Sequence, residues 1–348
     1  MVTMNDVSRH AGVSVATVSN VITGKKPVSE KMRKRVMDSI EALDYQVNLV
    51  ARGLKTQRTF SIGLILPDIT KLFFQKVISG ILDAATQNDY RLNIVSSGYD
   101  FETERMLFNT LKSSRVDGVI LDSCVSEADT ARWLREISPE TENSFPVVVL
   151  ENTFNTNRIS SVTVDNASAS ARITQHLIDI GRRKILYVVG PLYIEHEHAR
   201  ISGYRSCLQK NGIEVDPRLE KKSTYMSESG YNAVIEALRE GVEFDAIQAS
   251  NDQAAIGAMK ALREYNLRIP EDIAVAGFDN LFPSTLISPA LTTIDVPNYE
   301  MGVCAVNELM RRINDPIAPP CQQKLETQMI VRASTSPRTQ TNWDLEGW

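Results

Sequence analysis

The chain has 348 residues, 43% of them hydrophobic, and a formal net charge of −5. Its first residues lack the apolar core of a secretory signal, and no 18 consecutive apolar residues occur. We therefore expect a cytoplasmic protein with no membrane span. Its four cysteines lie far apart without metal-ligand spacing, which indicates reduced thiols and no metal site.

The first predicted elements are two short helices separated by a tight turn. Thr3 and Asp6 have the spacing of a capping box, and Gly12 can adopt the positive φ at which a helix stops. Ser14 is placed to cap a second helix that begins at Val15. This pattern fits an ordinary helical hairpin or a helix-turn-helix that inserts its second helix into DNA, and spacing alone does not choose between them.

A third helix and the distribution of charge favour a DNA-binding helix-turn-helix over an ordinary helical hairpin. Ser29 is the expected cap of this helix, whose apolar stripe is Met32, Val36, Ile40 and Leu43. Residues 1–58 contain ten Lys and Arg against five Asp and Glu, a local net charge of +5, so residues 59–348 carry −10. A basic head on an acidic body is typical of a protein that meets phosphate at one end only.

The second helix supplies the candidates for reading bases. Val15, Ala16 and Asn20 are expected on its outer face, and Thr17 and Ser19 carry hydroxyls suited to phosphate oxygens. Val15 and Ala16 can offer only apolar contact to a thymine methyl group, whereas Asn20 can pair with a base edge such as that of adenine.

From Phe60 onward, short apolar runs alternate with amphipathic helical patterns. The predicted strands are 61–67, 92–97, 117–123, 147–152, 185–190, 246–252 and 273–280, and the predicted helices are 75–88, 103–114, 166–180, 199–211, 229–239 and 253–265. This alternation indicates parallel sheets with helices on both faces, and about 280 residues predict two such lobes.

Polar side chains follow several of these strands, where ligands bind in open parallel sheets. Asp68, Glu151, Asn251 and Asp279 lie at strand ends, and Arg200 opens a helix. A single strand-end carboxylate is more often a helix cap, but several around one cleft favour a polar ligand site. Six strand ends carry such groups in this chain. Phe73 and Phe74 follow the first strand and fit either the core or the pocket.

Particular residues of the head resemble the lactose/galactose repressor (LacI/GalR) family of bacterial transcription regulators. They are Thr3, Asp6-Val7, Ala11-Gly12-Val13-Ser14, Thr17-Val18-Ser19, Val28-Ser29-Glu30, Tyr45, Asn48 and Ala51-Arg52-Gly53-Leu54. The family's usual proline is missing from Tyr45-Gln46-Val47-Asn48, which loosens the backbone before the linker.

The resemblance implies a helix-turn-helix head (1–47), a hinge helix or linker (48–58), a two-lobed α/β body like that of periplasmic binding proteins (59–335) and a polar tail (336–348). It implies lobes at about 59–161 plus 291–320 and about 162–290 plus 321–335, joined by three crossovers.

The resemblance also implies which residues meet the partners. The DNA-binding set is Thr3, Ser14, Val15, Ala16, Thr17, Ser19, Asn20, Ser29, Asn48, Ala51 and Leu54. In this family two linker helices pack together on a pseudo-palindromic operator and push the leucine corresponding to Leu54 into the minor groove. We therefore expect a homodimer, built by helices near 75–88 and 253–265, and no tetramerising zipper because the tail has no heptads.

The implied effector-binding set is Asp68, Phe73, Phe74, Glu151, Arg200, Tyr225, Asn251 and Asp279. Carboxylates, amides and aromatic faces suit a small polyhydroxylated molecule. Glu151 and Asp279 would repel a phosphate, which favours a neutral sugar. Because Arg200 could hold a carboxylate, a sugar acid stays open, as do a purine and a protein co-effector.

Other functional classes find little support. The sequence has no P-loop, GxSxG, HExxH or GxGxxG motif, so a catalytic site is not expected and no cofactor is implied. His196 and His198 could suggest a metal, but an exposed polar loop beside Arg200 is the favoured interpretation. The expected function is that of a transcription regulator, most simply a repressor, controlled by a small ligand.

Overall fold

The computed structural model describes residues 2–23, 26–45, 58–125, 127–138, 145–154, 159–192 and 194–336. The chain divides into two compact units, Met1–Thr59 and Phe60–Trp348. They are called the head and the body below. The predicted linker residues Asn48, Ala51 and Leu54 and the tail beyond Ser336 lie outside the described residues.

The described part of the head contains three helices, α1 (Met4–Ala11), α2 (Val15–Thr23) and α3 (Glu30–Ala42). The predicted capping box at Thr3 is confirmed, because its hydroxyl accepts from the Asp6 amide and Asp6 accepts from the Thr3 amide. Gly12 has φ 60°, and the Ser14 hydroxyl accepts from the amide of Thr17 at 3.1 Å. The head's core consists of Val7, Ala11, Val18, Val21, Val36 and Tyr45.

Two details of α3 differ from the prediction. The Ser29 side chain makes no capping hydrogen bond. Met32 is 45% exposed and does not join the apolar stripe. Three helices bury little surface, so the core takes only one residue per turn from this helix.

The first sheet of the body has six strands, all parallel to their neighbours. They are β1 (Ser61–Leu66), β2 (Arg91–Ser96), β3 (Gly118–Asp122), β4 (Val147–Leu150), β5 (Ser160–Val164) and β11 (Gln322–Leu325), in the order β11-β5-β4-β3-β1-β2. Helices cover both faces, because β1 sends Ile62 and Leu64 into one apolar cluster and Ile65 into another.

Four helices pack on this sheet: α4 (Leu72–Gln87), α5 (Phe101–Ser113), α6 (Glu127–Ile137) and α12 (Asn298–Asn314). Helices α4 and α12 meet at two glycines. A Cβ on Gly80 would lie 2.1 Å from the carbonyl oxygen of Tyr299, and one on Gly302 would lie 2.3 Å from that of Val77. The two helix backbones approach this closely because both residues lack a side chain.

The second sheet has four parallel strands: β6 (Ile185–Val189), β7 (Glu220–Lys222), β8 (Ala246–Ala249) and β9 (Ala274–Ala276), in the order β7-β6-β8-β9. A 3₁₀ turn (Pro217–Leu219) precedes β7. The helices of this lobe are α7 (Asn166–Asp179), α8 (Glu195–Lys210), α9 (Ser227–Arg239), α10 (Asp252–Glu264) and the short α11 (Pro283–Leu286).

The chain crosses between the sheets later than predicted. The ladder of β5 and β11 keeps residues 162–164 and 322–325 in the first lobe, whereas the prediction placed them in the second. Strand β10 (Thr293–Asp295) pairs with β12 (Gln328–Ile330) and bridges to residues beside β9, so it does not open the first lobe at 291 as predicted.

Candidate functional site

A cavity lies within the body, between the carboxyl ends of the strands of the two sheets. The first lobe contributes residues that follow β1, β2, β3 and β4, and the second contributes residues from α8, from the start of α9 and α10, and after β9. Its lining is Pro67, Lys71, Phe73, Phe74, Tyr99, Asp122, Ser123, Cys124, Glu151, Ile194, His196, Arg200, Tyr225, Asn251, Gln253 and Asp279.

Arg200 is the buried cation of the cavity and is 3% exposed. Its Nε donates to Oδ1 of Asn166 at 2.8 Å, and its Nη1 donates to the carbonyl of Ser250 at 2.6 Å. The guanidinium carbon lies 3.8 Å from the ring centre of Phe278. Nη2 remains 3.7 Å from Oδ1 of Asp279, which is an ion pair but too long for a hydrogen bond. The protein therefore fixes the orientation of Arg200.

Three buried carboxyl groups face the same cavity. Burial raises the pKa of Asp122 well above its ordinary value, and the neighbouring Glu151 and Glu104 raise it further. Burial also raises the pKa of Glu151 and Asp279, while Arg200 opposes that rise. Of the side chains in the described ranges, Oε1 of Glu151 and Oδ1 of Asp279 are buried without a hydrogen-bond partner. Such groups are costly unless a ligand satisfies them.

The backbone is strained at four lining residues, of which Tyr99 has φ 62°. Glu151 has φ 53°, Tyr225 has φ 66° and Asp279 has φ 107°, although none of them is glycine. Positive φ costs a non-glycine residue on the order of 1–3 kcal/mol, and such residues cluster at binding sites. The strain holds these side chains at the cavity wall and indicates that the wall serves a ligand rather than the core.

Tyr225 is held by a hydrogen-bonded group on α8. Its hydroxyl donates to Oε2 of Glu197 at 3.0 Å and lies 3.2 Å from Nε2 of His196. The other oxygen of Glu197 accepts from the amide of Gly190 at 2.9 Å, and a Cβ on Gly190 would lie 2.2 Å from the Tyr225 ring. The tyrosine ring is thus fixed in place as an apolar wall of the cavity.

Seven of the eight predicted effector-binding residues line this cavity: Phe73, Phe74, Glu151, Arg200, Tyr225, Asn251 and Asp279. Asp68 does not. Its Oδ1 accepts from both the amide and the hydroxyl of Thr70, so it stabilises a turn. Asn251 lines the cavity but caps α10 through Oδ1, at 2.9 Å from the Ala254 amide. Its Nδ2 donates to the Tyr225 carbonyl at 3.1 Å. The cap interpretation therefore holds for Asn251, whereas Asp68 caps no helix.

The sequence reasoning missed Asp122 and His196. Asp122 ends β3, so the strand-end rule that selected Glu151 could have found it. His196 belongs to the first turn of α8, not to an exposed loop as predicted, and it faces the cavity. Burial and the charge of Arg200 lower its pKa well below the ordinary value, so it is a neutral hydrogen-bonding group.

The structure places the predicted DNA-binding residues of the head on its surface. Val15 is 39% exposed, Ser14, Ala16 and Ser29 are exposed, and Asn20 is half-buried. The Thr17 hydroxyl lies 2.9 Å from that of Ser14. Of the remaining residues, Thr3 is exposed and Ser19 is half-buried.

Within the described ranges, no helix is both long and apolar enough to cross a membrane. The same residues hold no group of three His, Cys, Asp or Glu side chains arranged to bind a metal ion.

Comparisons with known proteins cover both units. Residues 3–48 match the family "Bacterial regulatory proteins, lacI family", and residues 59–332 match "Periplasmic binding proteins and sugar binding domain of LacI family". Catabolite control protein A of Priestia megaterium is 34% identical over 335 residues, covering 96% of this chain and 99% of that protein. The ribose operon repressor of Haemophilus influenzae is 32% identical and covers 96% and 98%.

Among solved structures, the lac repressor dimer bound to operator and the anti-inducer ONPF has a TM-score of 0.85 at 27% identity. The match covers 96% of this chain and 99% of that one. The helix-turn-helix head, the parallel two-sheet body and the cavity between its sheets agree with these matches. This chain belongs to the LacI family of bacterial regulatory proteins and is a DNA-binding transcription regulator, not an enzyme.

Proposed function

We propose that this chain is a cytoplasmic, homodimeric repressor whose affinity for operator DNA is set by a sugar bound in the cavity of the body. The observation that carries the proposal is the pair of buried, unpartnered oxygens on Glu151 and Asp279 beside the fixed guanidinium of Arg200. They lie in one cavity with the rings of Phe73 and Tyr225.

The chemistry of these groups favours a polyhydroxylated ligand. Sugar hydroxyls donate to carboxylate oxygens, and the C–H faces of a sugar ring pack on aromatic side chains. Three carboxyl groups disfavour a sugar phosphate. The Nε and Nη1 of Arg200 already donate to Asn166 and Ser250, and its charge is shared with Asp279, which disfavours a sugar acid as well. The names of the ribose operon repressor and of the operator-bound lac repressor complex agree with a regulator of this kind.

The head would bind DNA through α2. Ser14, Val15 and Ala16 are exposed on one side of it, where they can reach the major groove. A dimer would place two such helices on the two halves of a pseudo-palindromic operator. The linker residues Asn48, Ala51 and Leu54 would add the minor-groove contact that the family resemblance implies.

The ligand would act by shifting a conformational equilibrium. It contacts side chains from both sheets at once, so its binding favours one angle between them. A change in that angle would alter the spacing of the two linkers in the dimer and with it the population able to bind operator.

Calorimetry with a panel of neutral monosaccharides and disaccharides tests the proposal. Asp279→Asn should lower the affinity for the sugar at least about tenfold, because it replaces a charge-assisted hydrogen bond by a neutral one. Asp68→Asn is the matched control, since Asp68 stabilises a turn outside the cavity lining, and it should leave the sugar affinity within about twofold of wild type. Equal effects of the two variants would contradict the assignment of the site.

A further inference from the structure

The charges of the cavity wall do not balance. The lining contains three carboxyl groups, Asp122, Glu151 and Asp279, against two cationic side chains, Lys71 and Arg200. All three carboxyl groups are more than nine-tenths buried, with exposures of 8%, 5% and 5%. A buried carboxylate needs a partner of opposite charge or several hydrogen-bond donors.

Arg200 compensates part of this charge and leaves Asp122 without compensation. Its guanidinium lies 3.7 Å from Asp279 and acts on Glu151 as well. The groups that act on Asp122 are instead two carboxylates, Glu151 and Glu104. Glu104 lies behind the cavity wall, where it accepts from the Ser123 hydroxyl at 2.6 Å.

The other basic groups of the wall do not fill this role. Nζ of Lys71 lies 2.7 Å from Sδ of Met226, and Asp68 is the carboxylate that acts on it. His196 is neutral, because burial and Arg200 lower its pKa. Within the described part of the chain, no cation therefore acts on Asp122, and Glu151 shares Arg200 with Asp279.

We infer that the effector carries a protonated amine that binds against Asp122 and Glu151, which makes amino sugars its chemical class. The inference rests on the proposed function and narrows it from sugars in general. Asp122 ends β3, and Glu151 directly follows β4, whose Leu150 pairs with Asp122. The two residues therefore lie near each other at the carboxyl ends of neighbouring strands, and both line the cavity.

The chemistry of an ammonium group matches this corner of the cavity. It has three N–H donors and no acceptor, and Asp122 and the free Oε1 of Glu151 are acceptors. Its charge removes the repulsion between the two carboxylates, whereas a sugar hydroxyl satisfies one of them and leaves that repulsion in place. The remaining hydroxyls of the sugar face Arg200 and Asp279 on the opposite wall.

Calorimetry on the full-length protein near neutral pH tests the inference with matched ligands. The probes are glucosamine, galactosamine and mannosamine, each compared with its parent hexose and its N-acetyl derivative. We expect one amine to bind at least about tenfold more tightly than both of its uncharged relatives, a difference of about 1.4 kcal/mol. The parent hexose is the control matched in size, because it carries a hydroxyl where the amine stands. Acetylation keeps the nitrogen and removes its charge, but it enlarges the substituent.

The variant Asp122→Asn keeps the shape of the side chain and removes its charge. It should bring the ratio of amine to parent-hexose affinity close to one. A purely structural role would weaken both ligands equally and would overturn the inference. Asp68→Asn is the control and should keep the wild-type ratio.

The possible failures can be told apart. If a neutral hexose binds as tightly as its amine, the inference is wrong and the proposed function stands. If neither the amines nor the neutral sugars of either panel bind, both are wrong.

Discussion

The buried carboxyl group of Asp252 should make the stability of the body depend on pH. Asp252 is fully buried at the start of α10. It accepts from the Thr293 hydroxyl at 2.6 Å and from the Leu281 amide at 2.8 Å. Burial nevertheless outweighs these bonds and raises its pKa to about 7 from the ordinary value of 3.8. The folded protein thus binds this proton more tightly than the unfolded chain does.

The sign and size follow from proton linkage. Below the unfolded pKa the group is protonated in both states, and the folded state gains nothing from it. As pH rises above that value, the folded state loses about 1.36 kcal/mol per pH unit until it ionises near pH 7. Between pH 5 and pH 7 the free energy of unfolding should therefore fall by roughly 2.7 kcal/mol on account of Asp252.

Urea unfolding at pH 5, 6, 7 and 8 measures this effect when wild type is compared with Asp252→Asn, whose side chain stays neutral throughout. The difference between their unfolding free energies should change by roughly 2.7 kcal/mol between pH 5 and pH 7 and level off above it. Asp100→Asn is the control. Asp100 is a solvated cap whose hydrogen bonds to Thr103 lower its pKa, so this variant should keep the wild-type slope over that range. Parallel curves for wild type and Asp252→Asn would refute the reasoning.

Three further predictions concern helix ends, helix packing and the linker. Thr3→Ala should destabilise the head by about 1 kcal/mol, seen as faster amide hydrogen exchange in α1, whereas Ser29→Ala should have little effect because Ser29 makes no capping bond. Equal exchange in the two variants would contradict the capping assignment. Gly80→Ala should lower the urea stability of the body by at least about 2 kcal/mol, because its Cβ would meet a backbone carbonyl at 2.1 Å, while the exposed Ser79→Ala should be neutral. A small effect of Gly80→Ala would mean that the helices separate easily. Leu54→Ala should lose most specific operator affinity in a gel shift and leave the head folded, and unchanged binding would rule out the wedge.

The regular parts of this fold could be read from local patterns. The seven predicted strands all exist within a few residues, because buried parallel strands are continuous apolar runs. Strand β5 was missed because Ser160-Ser161-Val162-Thr163-Val164 is rich in hydroxyl side chains. Strand β11 was missed because Gln322-Gln323-Lys324-Leu325 lies at the sheet edge, where polar residues are tolerated. The chain crosses to the other lobe only after these two strands. The predicted lobe boundaries therefore lie a few residues too early in the chain.

The site was harder to predict than the fold, because its members come from distant parts of the chain. Glu151, Arg200 and Asp279 could be selected from strand ends and the family resemblance. Whether a strand-end acid faces the cavity or stabilises a turn depends on its neighbours in space. Asp68 has Thr70 close enough to bond, and Asp122 has only other carboxylates acting on it.

The most direct test of the central claim is operator affinity measured with and without the bound sugar. Sites selected from a random library provide the operator, and fluorescence anisotropy gives its Kd for full-length wild type and Asp279→Asn. We predict that the sugar which binds by calorimetry changes the operator Kd of wild type at least about fivefold, and that saturating amounts leave Asp279→Asn unchanged. If that sugar binds the cavity and leaves the wild-type operator Kd unchanged, the cavity does not control DNA binding.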